Sequence, residues 1–176
     1  MSRIRYGLNE RDNLYSLFRY DRMYNTNDST WKPHMTDDEI FTIVEFEQNG
    51  LPGIASVNNC LKNLTGNREL KWHLSVLIQC SNVTNRGLPS KNEQKVLYEI
   101  EATLDPYIKA DNGGVFLACV THNALRELIW RVRNPEEANA AMQHIIQSRT
   151  TQRPLNYRID DDPSWTRAAW YLDNIN

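Results

Sequence analysis

The chain has few of the features that mark whole classes of protein. Its 176 residues carry no excess of one charge, since 20 basic residues stand against 22 acidic ones and the formal net charge is −2. This balance gives no overall attraction to nucleic acid or to anionic membranes. The longest uninterrupted apolar run spans residues 115–120, and residues 1–12 lack the apolar core of a signal peptide. We therefore expect a cytoplasmic protein without a membrane segment.

Residue types that build catalytic or metal centres are scarce and scattered. Cys60, Cys80 and Cys119 are odd in number and widely spaced, which fits neither a disulfide framework nor a zinc site and favours buried reduced thiols. No HxxxH, HxH, HExxH, GxSxG or GKS/T motif occurs. Cys119 and His122 lie close in sequence, but a strand end and its turn often hold such residues by chance. The sequence thus predicts no cofactor, no metal site and no enzyme.

From residue 70 onward the sequence carries a clear succession of strands and helices. In LKWHLSVLIQ, residues 70–79, apolar and polar side chains alternate, which indicates a strand with one buried face. Ser90 with Glu93, and Asn134 with Glu137, are signals of helix starts. The predicted order is strand, helix, strand, strand, helix, strand, helix.

The first six of these elements follow the split βαβ order of a ferredoxin-like fold. We therefore predict an α+β fold, with an antiparallel sheet that carries helices on one face and leaves the other face available. The segment before it predicts a β-hairpin that turns near Asn49 and Gly50 and either extends the sheet at an edge or crosses its open face. The predicted divisions are an N-terminal extension over 1–38 and a single domain over 39–176, made of a hairpin over 39–61, a core over 70–161 and a C-terminal helix over 162–176.

The stretch IDDDPSW, residues 159–165, reads as the junction of a strand and a helix. Asp162 stands where an N-cap belongs, and Pro163 occupies the first helical position, which proline favours. Trp165 is then expected to anchor the last helix on the core, with Ala169 on the same side. Asp160 and Asp161 are left as charges for a partner's basic surface.

The chain resembles the bacterial uncharacterised domain family 695 in three segments, NRGLPSKNEQKVLYEIEATLD, ACVTHNALRELIWRVRNPEEA and YRIDDDPSW. The shared motifs are a Leu-Pro before a Glu-containing helix, a Thr…Arg-Glu hairpin and a closing Asp-Pro-x-Trp. The resemblance covers the chain from Phe41 to its C-terminus and implies a fold like that of ribonuclease E inhibitor protein B. The residues taken as its structural signature are Pro89, Arg126, Trp130, Asp162, Pro163 and Trp165.

Three classes of function remain, and the predicted open face of the sheet helps to rank them. Its outward positions are basic: Lys71, His73, Arg131, Arg133 and Arg158. This charge favours RNA phosphates, but no aromatic side chain stands on that face to stack bases. Leu77 and Ile129 on the same face favour the packing of an appended segment or of a protein partner. Protein binding therefore ranks above RNA binding and above catalysis.

The family resemblance also bears on function. Family members look like neighbours of bacterial toxin systems, and ribonuclease E inhibitor protein B acts on a nuclease by direct contact. We therefore expect a non-enzymatic, protein-binding inhibitor, namely an immunity protein for a toxin that acts in the cytosol, such as a nuclease. A regulator of a ribonuclease or of an RNA-associated protein is the alternative. The expected contact residues, chosen for charge or for their frequency in interface hot spots, are Asp160, Asp161, Arg131, Arg133, Tyr20 and Trp31.

Overall fold

Six β-strands form one antiparallel sheet with helices on both faces, in a computed structural model that describes residues 40–175. The strands are β1 (Phe41–Gln48), β2 (Leu51–Asn58), β3 (Trp72–Gln79), β4 (Gly114–His122), β5 (Leu125–Val132) and β6 (Leu155–Asp161). The α-helices are α1 (Lys91–Lys109), α2 (Pro135–Ser148) and α3 (Thr166–Asp173). Short 3-10 segments span Asn59–Leu64, Arg68–Leu70 and Ala110–Asn112. The chain is therefore α+β, as predicted.

The strand order across the sheet is β1-β2-β4-β5-β3-β6, and every neighbouring pair is antiparallel. The hairpin of β1 and β2 pairs with β4, so it extends the sheet at an edge and does not cross its face. It turns at Asn49 and Gly50, whose φ angles are 55° and 75°. Two left-handed residues make a turn that matches the twist of the flanking strands. As a result, β1 and β6 are the edge strands of the described sheet.

One face of the sheet packs against α1 and α2. Its buried cluster contains Leu74, Val76 and Ile78 of β3 with Leu128 and Trp130 of β5, as the alternation predicts. The two helices contribute a stripe of buried side chains at helical spacing: Leu97, Ile100, Leu104, Ile108, Ala138, Met142 and Ile145. This face is therefore a closed hydrophobic core.

The opposite face of the sheet is covered by the C-terminal segment, and the prediction of an open basic face is wrong. A second buried cluster joins strand residues to that segment: Ala55, Val57, Leu117, Ala118, Ile129, Trp165, Ala168, Leu172 and Ile175. Beneath it, His73 is 2% exposed and Arg131 is 0% exposed. The alternation identified correctly which side chains share a face, but it carries no information on what covers that face.

Two helices begin at the predicted caps. The Ser90 hydroxyl accepts the Glu93 amide at 3.3 Å before α1, and the Asn134 side chain accepts the Glu137 amide at 3.4 Å before α2. The capping box at α1 is half formed, because the Glu93 carboxylate accepts the Ser81 amide at 2.9 Å instead of returning to the cap. Local side-chain signals therefore located both starts correctly, while tertiary contacts redirected one carboxylate.

The last helix begins after Trp165 and not at Pro163, so this prediction is wrong. The Asp162 carbonyl accepts the Trp165 amide at 3.0 Å, which closes a turn that contains Pro163. Trp165 itself adopts a left-handed conformation with φ 57°. Within the helix Ala168 and Leu172 are buried while Ala169 is exposed, so the expected inward position of Ala169 is wrong as well.

Candidate functional site

A buried charged cluster lies between the sheet and the start of α3, centred on Arg131. Its Nη1 donates to the Asp162 carboxylate at 2.9 Å, and its Nη2 donates to the Asp162 carbonyl at 2.7 Å. Its Nε donates to the Leu70 carbonyl at 3.1 Å, and its guanidinium carbon lies 4.5 Å from the centre of the Trp165 ring. The guanidinium is therefore paired by charge, by hydrogen bonds and by an aromatic face.

The Asp162 carboxylate also binds the first turn of α3. It is 6% exposed and accepts the amides of Thr166 at 2.8 Å and Arg167 at 3.1 Å. These are amides that a helix start leaves without a partner inside the helix. One carboxylate thus balances the buried Arg131 cation and satisfies the helix start at the same time.

His73 completes the buried cluster as a neutral ring. Its Nδ1 lies 3.3 Å from Arg131 Nη1. Because arginine can only donate, Nδ1 accepts and the ring proton resides on Nε2. Burial, reinforced by the positive charge of Arg131, lowers the pKa of His73 from 6.5 to about 4.

The two aspartates expected to contact a partner lie at the end of β6, in different surroundings. Asp160 Oδ2 is 3.4 Å from the Nε atoms of both Arg158 and Arg167. Its charge is therefore balanced within the chain. Asp161 is exposed, because its side chain points to the opposite side of the strand.

The remaining predicted contact residues do not gather into one surface. Arg131 is inaccessible under α3. Arg133 is 42% exposed and pairs with Glu69. Tyr20 and Trp31 lie outside the described residues. The structure thus brings Arg131 close to the end of β6 but not into contact with solvent.

The other signature residues support the fold on the side of α1. Trp130 is buried, and its indole nitrogen donates to Asp105 at 2.9 Å. Pro89 is buried in the loop that precedes α1. Arg126 is fully buried, donates through Nε to Thr121 at 3.1 Å and has no hydrogen-bond partner for Nη1 or Nη2 within residues 40–175.

The pair Cys119 and His122 does not form a nucleophilic site. Cys119 is buried in the cluster beneath α1 and α2, whereas the His122 ring lies on the other face, 5.7 Å from that of Phe46. Cys80 is also buried, and burial raises the pKa of its thiol. Cys60 is exposed, so the prediction of buried thiols is wrong for that residue.

No group of three or more His, Cys, Asp or Glu side chains within residues 40–175 is placed to hold a metal ion. None of the helices described there is both long and apolar enough to cross a membrane.

An open groove of about 590 Å³ lies between α3 and the hairpin end of the sheet. The Phe46 ring packs edge-on against Trp170 with ring centres 5.4 Å apart. Gly53 faces Phe46 from β2, and a side chain there would come within 2.2 Å of the ring. The small residue therefore lets the ring lie flat on the sheet, while Trp170 remains 42% exposed.

The groove is lined by aromatic rings and by one inward carboxylate, that of Glu127. Glu45 and Glu47 border it along β1, with side chains on the strand face opposite to that of Phe46, and no lysine or arginine of the described chain belongs to its lining. Glu127 accepts the hydroxyl of Ser75, which holds its carboxylate at the sheet surface. Burial and the nearby charge of Glu127 raise the pKa of Tyr171. The groove therefore presents an exposed tryptophan and one carboxylate, with two further carboxylates along its border.

Sequence reasoning missed this groove entirely. Its residues come from β1, β4, β5 and α3, which are far apart along the chain. One signal was available, because Trp170 falls between Ala168 and Leu172 and so lies off the buried stripe of α3. A large aromatic residue on the exposed side of a helix is a candidate contact residue.

A family model described as a family of unknown function, DUF695, matches residues 42–174. The match covers most of the chain, so the chain belongs to this family, and the resemblance drawn from the motifs is confirmed. No curated protein and no solved structure matches the chain. The matched region contains the buried cluster and nearly all of the sheet, and it reaches the last groove residue, Asn174.

Replacing Asp162 with alanine is expected to lower the free energy of unfolding by about 3 kcal/mol, because the buried Arg131 cation loses its counter-charge. Asp161→Ala is the matched control, since the neighbouring carboxylate is exposed, and its change is expected within about 0.5 kcal/mol. Chemical denaturation of both variants measures the difference. Equal stability of the two variants would contradict the role given to the buried pair.

Acidification is expected to destabilise the fold through His73. Its pKa is about 4 in the folded chain and 6.5 when unfolded, so the unfolded state takes up the proton first. The stabilisation is complete above pH 6.5 and is lost as the pH falls towards 4, by about 3 kcal/mol. The free energy of unfolding, measured by denaturation at several pH values across this range, should depend less steeply on pH for His73→Gln than for the exposed control His144→Gln. The same slope in both variants would show that His73 does not titrate as a buried neutral ring.

Proposed function

We propose that this DUF695 protein is a non-enzymatic inhibitor that works by binding another protein, as an immunity protein does for a toxin that acts in the cytosol. The observation that carries the proposal is the groove beside α3. It combines an exposed tryptophan with Glu127 inside the groove and Glu45 and Glu47 along its β1 border, and no lysine or arginine of the described residues lines it. Such a surface is complementary to a basic one.

The aromatic residues of the groove suit an interface. Trp170 has Phe46 against its edge at 5.4 Å and Tyr171 at 5.2 Å, so its ring is held in place although it is exposed. A ring held in place loses little conformational freedom on binding, which favours affinity. Tryptophan is also among the residue types enriched in binding hot spots.

The charge of the groove favours a partner that handles nucleic acid. Nucleases bind phosphates through lysine and arginine, so the surface around their active sites is basic. Glutamates in and beside a groove attract such a surface and speed encounter with it. A toxin nuclease is therefore the first candidate partner, and a cellular ribonuclease under regulation is the second.

The fold supports the same proposal by analogy. We infer that β3, α1, β4, β5, α2 and β6 form a split βαβ unit of the ferredoxin-like kind, because these strands lie side by side in the order β4-β5-β3-β6. This arrangement is similar to that expected for ribonuclease E inhibitor protein B, which acts by direct contact. Fold likeness alone does not carry function, so the proposal rests on the groove.

Co-expression of the chain with the toxin encoded beside its gene is expected to give a stable complex and to protect cells. Trp170→Ala should weaken the complex by about 30-fold, as loss of a hot-spot residue does. Tyr107→Ala is the matched control, because Tyr107 is an aromatic residue 49% exposed on α1, against the other face of the sheet. Titration calorimetry of the purified pair measures both affinities.

Two results would reject this proposal. One is the absence of any complex or protection with the unaltered chain. The other is an equal effect of the two substitutions, which would place the partner away from the groove. Thermal unfolding of Trp170→Ala is the accompanying check, since the variant must remain folded.

A further inference from the structure

We infer that the outer edge of β1 binds the partner by strand addition, accepting an extended segment that carries basic residues at alternate positions. The inference rests on the proposed function, because it names the chemistry by which the same region of the protein would hold its partner. Three observations carry it: backbone groups of the edge strand that face away from β2, the scarcity of protective features on that edge within residues 40–175, and the charge of its side chains.

The hydrogen-bond pattern shows which backbone groups face outward. The Asn59 amide donates to the Ile40 carbonyl at 2.8 Å, so these two residues form a bonded pair. Bonded and non-bonded pairs alternate along an antiparallel ladder. With Phe41 opposite Asn58, the backbone groups of Thr42, Val44, Phe46 and Gln48 face β2. Those of Ile43, Glu45 and Glu47 therefore face away from the sheet.

The edge carries few of the features that usually prevent strand addition. Within residues 40–175, β1 pairs with β2 alone, over eight residues in uninterrupted register. It contains no proline, no lysine and no bulge. Proteins commonly use those features to block an exposed edge. Open edges of this kind are the surfaces to which partner strands add.

The charges on β1 select the kind of strand that can be added. Glu45 and Glu47 are both exposed. A second copy of β1 paired antiparallel about Phe46 would place Glu45 opposite Glu47, and like charges destabilise cross-strand pairs. A segment with lysine or arginine at alternate positions would instead meet opposite charges. Charge complementarity thus favours a basic partner segment over self-association.

The groove continues from this edge. Five consecutive residues of β1, from Val44 to Gln48, belong to its lining together with Trp170. Side chains of an added strand alternate between the two faces of the sheet. One set would point towards the groove and Trp170, and the other set would run beside Glu45 and Glu47. Backbone pairing and groove contacts would therefore act on one continuous segment.

The test uses the full chain and a synthetic peptide of alternating lysine and valine. Binding is expected to shift the amide resonances of Ile43, Glu45 and Glu47 and to slow their hydrogen exchange. A peptide with glutamate in place of lysine, and one N-methylated at alternate positions, should each bind about tenfold more weakly or not at all. These two peptides separate charge from backbone pairing.

Glu45→Pro removes one outward amide of β1 and should therefore abolish the response to the peptide. The variant should remain folded, because proline is tolerated at outward positions of an edge strand. Asp161→Pro is the matched control on the other edge. The Asp162 amide donates to Lys71 at 2.9 Å, so the Asp161 amide faces outward on β6 as the Glu45 amide does on β1. This control should bind the peptide normally.

Three outcomes would overturn the inference. They are no amide shifts with the lysine peptide, shifts that survive Glu45→Pro, and loss through Asp161→Pro instead. Dimerisation of the chain through β1, or occupation of that edge by residues 1–39, would also appear as no response to the peptide. Protection from the toxin is measured separately, so failure of strand addition and failure of the proposed function give different results.

Discussion

The buried ion pair between Arg131 and Asp162 is the interaction on which the C-terminal part of the structure depends. A charge removed from water is costly unless its partner and its hydrogen bonds are complete. Here the guanidinium meets a carboxylate, two carbonyls and the Trp165 ring, while the carboxylate also accepts two amides of α3. Neither group can be satisfied in this way unless α3 begins where it does. The pair therefore fixes the position of the helix as well as its own geometry.

The position of α3 in turn determines the surface that we propose for binding. Trp170, Tyr171 and Asn174 form one wall of the groove, and the sheet with Phe46 forms the other. The hydrophobic residues of the helix, Ala168 and Leu172, add apolar contact but little direction, because apolar burial is not directional. Hydrogen bonds accepted by a single carboxylate supply the direction. A buried polar contact thus shapes an exposed site some distance away.

Much of the fold could be predicted from the sequence, because its signals are local. Alternation placed Leu74, Val76 and Ile78 on one face, and Ser90 and Asn134 marked two helix starts. What covers a face is not a local property. Arginines in an alternating strand were assigned to solvent, since arginine is seldom fully buried without a partner, and the partner of Arg131 stands 31 residues later.

The groove could not be predicted for a related reason. Phe46 and Trp170 meet only because β1 extends the sheet at its edge while α3 covers the same face. The triple aspartate shows the same limit. Its third member, Asp162, was expected to cap a helix that starts at Pro163. It lies instead in a turn before the helix, from which its carboxylate binds both the first amides of α3 and the distant Arg131. The sequence indicated a structural residue but not the contacts that make it one.

Residue-resolved hydrogen exchange of Arg131→Met is the most direct measurement of the central claim. If the ion pair holds α3 on the sheet, the amides of Thr166–Asp173 should exchange faster than in the unaltered chain, while those of β3, β5 and α1 keep their protection. Phe46 and Trp170 should lose their ring contact in the same variant. Unchanged protection of α3, or an equal loss of protection throughout the chain, would contradict the account.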